Sequence, residues 1–313
     1  MKLKFLISIA IVFVIAVSLF YDDFGILNLN EPMNWTILLE IRVPRVIIGI
    51  LVGVILSITG YVFQTIFNNN LADSFSLGLA SGASFGSALA IVLGLSLYMT
   101  SVLSVLFSLF TLLIVLVASR MYHHNQTMRL LLIGMFINLF FSSCVYILVL
   151  AFPKQSSNIM NYLFGSINTI NVTDIMIIFP ITIVGVAVIY YFHQQIEILA
   201  LGHDRAISLG LKTDTLIYGL LIITSIMCAV LISMTGIIGF VGMIIPPFVR
   251  MNFKGRPLTK LNLILLISVL FVLIGDFIGR EIIQPVQIPV SIMMCLLGMP
   301  LLMTVLIKQQ SIN

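Results

Sequence analysis

Apolar residues along this chain come in long unbroken runs, not in the alternation of a half-buried strand or the one-sided stripe of a soluble helix. Ten runs stand out, near residues 4–20, 43–66, 74–95, 99–119, 129–151, 173–192, 214–233, 236–250, 261–279 and 289–307. Most approach the roughly 20 apolar residues that one bilayer-spanning helix needs. The third and eighth runs are interrupted by glycine. They predict short, broken or partly re-entrant helices, which a membrane tolerates where other protein covers the backbone. The connections are short, with no repeat, low-complexity tract or linker, so residues 1–313 are read as a single transmembrane domain.

Composition sharpens this picture. Of 313 residues, 60% are apolar and 8% charged, where a soluble domain carries about a quarter charged residues. An ordinary soluble protein is excluded, and so is a disordered chain, which needs low hydrophobicity and high charge. The segment from Met1 to Phe20 has some marks of a signal peptide, including the small residues Ala16 and Ser18. A first transmembrane helix starting in the cytoplasm fits the later charges better. With both termini cytoplasmic, eleven of the fifteen Lys and Arg fall on the inner side; Arg42, Arg45, Lys154 and Arg280 fall outside. That is the bias of a multi-pass membrane protein. The net charge of +4 therefore follows from topology and implies lipid around the chain, not a nucleic-acid partner.

Several kinds of chemistry are missing. Cys144, Cys228 and Cys295 each sit inside an apolar run, where free cysteine behaves as a small hydrophobe. No Gly-Lys dipeptide occurs, so the chain has no P-loop to cradle ATP. His123, His124, His193 and His203 fall at expected cytoplasmic helix ends without metal-ligand spacing. No carboxylate is expected mid-span, where ion-coupled carriers commonly keep one. Asp276 comes closest, with Arg280 four residues on as its natural ion-pair partner. No catalytic dyad is visible. The residues describe neither an enzyme nor a metal or cofactor site, but a pore-forming part driven by another subunit.

Other positions are informative by spacing. Gly49 and Gly53, and then Gly78, Gly82 and Gly86, stack on single helix faces and would let backbones approach closely. Asn138, Ser142 and Ser143 interrupt the fifth apolar run; polar residues in a span face protein or a cavity. Arg42-Val43-Pro44-Arg45 places two arginines at an outer helix end. They suit membrane anchoring or bidentate bonding to an acidic partner. Glu197 to Leu211 reads as a short amphipathic helix broken by Gly202 and Gly210, either a plain cytoplasmic loop or a docking element.

Taken together, these stretches resemble the FecCD-type permeases of bacterial ABC importers for iron-siderophore, heme and cobalamin. The family's R-x-P-R stands here as Arg42 to Arg45, followed by the glycine-to-glutamine spacing Gly53 to Gln64. Asn69-Asn70-Leu71-Ala72-Asp73-Ser74, Leu77-Gly78 and Ser81-Gly82-Ala83 follow its next signature. Leu201-Gly202, Ala206 and Leu209-Gly210 match its cytoplasmic element. Gly236 through Arg250, Asp276 with Arg280, and Gly298-Met299-Pro300 complete seven motifs in order. The chain departs from the pattern at Asn70 and Ser74, where the family has proline, at Pro247 for histidine and at Gln287 for glutamate.

The resemblance implies an all-α integral membrane fold of about ten transmembrane helices, a type II (BtuC-like) ABC importer permease, in the bacterial plasma membrane. It implies a second permease chain, identical or different, and an extracytoplasmic substrate-binding protein. Two cytosolic ATPase subunits would hold the ATP and Mg. Arg42, Arg45 and Arg280 would dock the binding protein. Glu197, Leu201, Gly202, Arg205, Ala206, Leu209 and Gly210 would seat in the ATPase. Asn138, Ser142 and Ser143 would line the pathway. An iron-siderophore complex is the expected cargo, with heme or cobalamin as alternatives; an ion-coupled secondary carrier is the alternative class.

Overall fold

The computed structural model describes residues 2–22, 25–26, 30–120, 126–167, 172–283 and 287–310. His123 and His124 lie outside them. The chain is almost wholly helical, and each of the ten apolar runs has become a helix. They are α1 (Lys2–Phe20), α3 (Val43–Phe67), α4 (Leu79–Val92), α5 (Leu97–Arg120), α6 (Gln126–Ala151), α8 (Val172–Tyr191), α11 (Thr213–Thr235), α12 (Val241–Asn252), α13 (Pro257–Glu281) and α14 (Val290–Gln310). Among the described residues six helices are long and apolar enough to cross a membrane. Between these lie the short helices α2 (Pro32–Thr36), α7 (Ser156–Leu163), α9 (His193–Leu199) and α10 (His203–Ser208), and a two-residue strand pair, β1 (Tyr21–Asp22) with β2 (Gly25–Ile26).

The two glycine-rich runs are indeed the short ones. α4 has 14 residues and α12 has 12, well below a full span at 1.5 Å per residue. α12 holds Pro246 and Pro247, which remove two backbone donors. The chain enters it through Phe240 at φ 70°, a left-handed conformation that interrupts the helix after α11.

Ahead of α3, residues Ile37–Arg42 form a π-helix in which the Val43 amide donates to the Leu38 carbonyl. Pro44 supplies the cause. Its ring crowds the carbonyl four residues back and it has no N–H to donate, so the widened turn reroutes the backbone bonds.

The chain forms two compact units, each drawn from separate stretches. One comprises residues 1–57, 166–182 and 238–313; the other comprises 58–165 and 183–237. In the first, α1, α3 and α13 share a core of Val46, Val269 and Leu273 with Ile11, Val14, Ile15 and Ile50. The glycine stripe of α3 meets α13. A Cβ at Gly53 would lie 2.8 Å from the Val269 Cα, so only glycine permits the approach. One turn on, Ser268 donates to Ser57 across the same seam at 2.8 Å.

In the second unit α4 is the central helix. A Cβ at Gly82 would meet the Phe107 carbonyl of α5 at 2.9 Å, and Gly86 faces the Leu103 carbonyl at closer range. Phe85, Phe107 and Phe141 stack where α4, α5 and α6 meet, with centroids 5.1 to 6.3 Å apart. Ala88, Val145 and Ile159 add α7 to this core. Cys228 is buried on α11 and donates to Thr59. Before α4, Asp73 Oδ1 accepts the amides of Phe75 and Ser76 and the Ser76 hydroxyl. Burial of that turn pushes the Asp73 carboxyl up to about 6.

Candidate functional sites

Two of the three arginines, Arg45 and Arg280, converge on one carboxylate of the first unit, but not in the expected pairing. Asp276 is bound chiefly by Arg45, whose Nε and Nη2 grip its two oxygens at 2.8 to 3.1 Å. Arg280, its neighbour one turn along α13, stands at 3.8 Å. The flat Arg45 fork matches a carboxylate edge-on, whereas a side chain on the same helix must bend to reach it. Arg45 also donates to Gln287. Arg280 donates to Ser18 of α1 at 2.7 Å and has Phe277 5.6 Å below its guanidinium.

Arg42 is buried and spends its donors on the carbonyls of Leu19 and Tyr21, at 2.9 and 3.0 Å. It fastens the end of α1 to the start of α3. Arg42 and Glu281 both lie within electrostatic reach of Arg280. Three guanidinium groups thus share a small region with two carboxylates, leaving net positive charge in a partly desolvated place.

The stretch from Glu197 to Leu211 lies in the second unit as two short helices broken at Gly202. Gly202 and Gly210 take φ of 107° and 83°, the conformation for which glycine is suited. Gly210 ends α10 in a doubly bonded stop: its amide donates to the Ile207 carbonyl and the Leu211 amide to that of Ala206, the Schellman arrangement. Ala206 is buried and anchors the element, while Leu201, Ile207 and Leu209 stand more than half exposed. Arg205 is exposed beside them, and Glu197 is half-buried. That burial raises the Glu197 carboxyl above its ordinary range, and His193 one turn before it pulls the other way.

On α6, Ser142 and Ser143 are exposed and Asn138 is half-buried. The Ser143 hydroxyl returns to the Leu139 carbonyl, so it presents oxygen without an unmet donor. Around them Phe136, Leu139, Phe140, Tyr146 and Ile147 are exposed. No charged residue occurs from Leu130 to Ala151. Among the described residues, no group of three His, Cys, Asp or Glu could hold a metal ion.

Ser18, noted in the sequence only as a small residue, and Gln287, noted only as a departure from the family pattern, turn out to bind Arg280 and Arg45; Tyr162 carried no sequence signal. The Tyr162 hydroxyl of α7 donates to the Ile232 carbonyl of α11 and meets Ser104 of α5. No local spacing signals it, because its partners are 70 and 58 residues away.

Residues 3–308 match the model of the FecCD transport family. An uncharacterized ABC transporter permease protein of Bacillus subtilis, YvrB, is 31% identical over 91% of this chain and 82% of its own length. A Helicobacter pylori protein named as an iron chelatin transport system permease is 34% identical, covering 88% of this chain and 84% of its own. Other matching permeases, in Yersinia pestis, Halobacterium salinarum and Haemophilus influenzae, are named for hemin, cobalamin and molybdate import. A solved structure described as a metal-chelate type ABC transporter in an inward-facing conformation superposes with a TM-score of 0.90. It has 27% identity, over 98% of this chain and 99% of that one.

Proposed function

This chain belongs to the FecCD transport family, and from that premise we propose that it carries an iron-siderophore complex inward across the bacterial plasma membrane. It is a multi-pass permease subunit of the ABC importer kind. It pairs with a second permease chain and with two cytosolic ATPase subunits that hold ATP and Mg, and it receives cargo from an extracytoplasmic binding protein.

The observation that carries the cargo reading is the exposed face of α6, an uncharged wall of aromatic and aliphatic side chains with Ser142 and Ser143 among them. A bare oxyanion or metal ion passing that wall loses hydration and gains no partner, which is costly. A chelate whose organic shell covers the metal presents apolar area and a few polar groups, and the wall offers both. Arg42, Arg45 and Arg280 serve binding-protein docking, supported by their surplus of positive charge over Asp276 and Glu281; such a site favours additional carboxylates. The exposed apolar residues of the α9–α10 element, set on a buried Ala206, support its role as the ATPase seat.

The test is uptake into proteoliposomes holding the permease, its ATPase and its binding protein. ATP-dependent accumulation of a ferric siderophore, with molybdate excluded, is expected. Uptake of hemin or cobalamin in its place overturns the cargo. Uptake driven by an ion gradient without ATP makes the protein a secondary carrier.

A further inference from the structure

Three helices of the second unit meet at one phenol. α7 is an eight-residue helix attached to the end of α6 through the turn Phe152–Gln155. Its Ile159 is buried against α4 and α6, which fixes the helix on one side. On the other side Tyr162 reaches α11. Its hydroxyl donates to the Ile232 carbonyl at 2.7 Å, and it stands 3.0 Å from the Ser104 hydroxyl of α5. The Ile232 carbonyl also accepts the Gly236 amide that ends α11, so the phenol binds at the last turn of that helix.

The backbones around this bond are in direct contact. A Cβ on Gly165 would strike the Ile237 carbonyl, and one on Gly236 would strike the Tyr162 carbonyl. Both glycines have positive φ, 61° and 69°. α7 and the end of α11 are therefore locked together by shape, and one polar bond fixes their register.

The far end of α11 touches α10, where the four residues from Leu209 to Lys212 join the two. α11 is 23 residues long, about 33 Å at the helical rise of 1.5 Å per residue. A single stiff helix thus runs from the element assigned to the ATPase to the element closing the end of α6. We propose that the Tyr162 hydroxyl is a positioning group of the transport cycle. Its bond to the Ile232 carbonyl makes α7 follow α11, so that displacement of α10 is delivered to the end of the pathway helix. This rests on the importer reading above and deepens it by naming the link between its two ends. A coupling of this kind requires an element whose position both ends bias, and α11 with α7 clamped to it meets that requirement.

Spin labels test the link. In a chain with Cys144, Cys228 and Cys295 replaced by serine, a label is placed at Asn161 on α7 or at Asp204 on α10, both exposed. The labelled chain is assembled with its ATPase in lipid nanodiscs, and spectra are recorded before and after ATP with vanadate. The wild-type background should respond at both positions. Tyr162→Phe keeps the ring and its packing. It should keep the Asp204 response and reduce the Asn161 response by about three- to tenfold, the worth of one net hydrogen bond. Ser104→Ala spares the bond to Ile232 and should leave the Asn161 response intact. A full Asn161 response in Tyr162→Phe, or an equal loss in Ser104→Ala, overturns the clamp and leaves the importer reading standing. A silent Asn161 beside a responding Asp204 in the wild-type background also overturns it, with no need of the variants. If Asp204 itself is silent, the importer reading fails and the clamp with it.

Discussion

The arginine cluster around Asp276 and the α9–α10 element are both proposed as partner-binding regions, and they are built in opposite ways. In the cluster every charged group already has a protein partner. Arg45 is bidentate on Asp276, Arg42 is spent on two carbonyls and Arg280 on Ser18. Around α10 the large side chains point outward, and the fold is held by a buried alanine and backbone bonds. A region closed on itself can offer a partner only its surplus field and its fixed shape. One that leaves leucines in the open gains by covering them. Substitutions should therefore damage folding in the first region and coupling in the second.

The sharpest break in that contrast is Arg45→Ala. It leaves the buried Asp276 without its main partner, which costs roughly 3–5 kcal/mol for a buried pair. The variant should melt well below wild type in detergent, and Asp276→Asn in the same chain should recover part of the loss. A wild-type melting temperature would mean that the pair is solvated after all.

Next in size is Arg280→Glu. Reversal adds repulsion toward an acidic partner, so docking should weaken more than with alanine, by roughly 2–5 kcal/mol if the contact is desolvated. Titration with the binding protein at two salt concentrations separates the cases, since exposed pairs fade with salt. If the reversal docks as wild type at low salt, the arginine is purely structural.

On the other side of the comparison, Gly210→Leu meets open space, since nothing lies within 4 Å of a Cβ there. Only backbone strain of about 1–2 kcal/mol is expected. Stimulation of the ATPase by loaded binding protein should fall far more than stability does. Unchanged stimulation would remove the element from the coupling path.

The smallest effect is Glu197→Gln. Its raised carboxyl means the native chain holds that proton more firmly than the unfolded one does. Whatever stability this adds is complete below the ordinary Glu range and declines as pH rises through the raised value. For a half-buried group in contact with solvent the change should stay within a few tenths of a kcal/mol. Melting curves from pH 4 to pH 8 should nearly coincide with wild type, and a large pH-dependent gap would show the side chain far more enclosed than its half-buried position.

Helix existence was legible from the runs alone because twenty apolar residues have few other fates. The short third and eighth helices followed from their glycines. Gly53 of α3 and Gly82 and Gly86 of α4 found the close partners their spacing called for, whereas Gly78 stands ahead of α4 at φ 73° and is not part of its face. The break at Gly202 was read correctly for the same local reason. What escaped was pairing over long separation. Arg280 sits beside Asp276 in sequence, yet the carboxylate prefers Arg45, 231 residues away. Local spacing registers the first neighbour and is blind to the second. α7 escaped too, because eight residues with two asparagines make no apolar run.

The π-helix before α3 carries one more consequence. A turn with an extra residue puts the apolar stripe out of phase by about 100°, one step of the helical screw. Residues before Ile37 and after Val43 cannot be drawn on one helical wheel, so a pattern continued through this point assigns Trp35 to the wrong side. Deleting a single residue here would bring the wheel back into phase, swing Arg42 away from the end of α1 and leave Pro44 facing a carbonyl with no donor. The insertion is thus the phase correction that lets a proline stand inside a helix while both arginines keep their places.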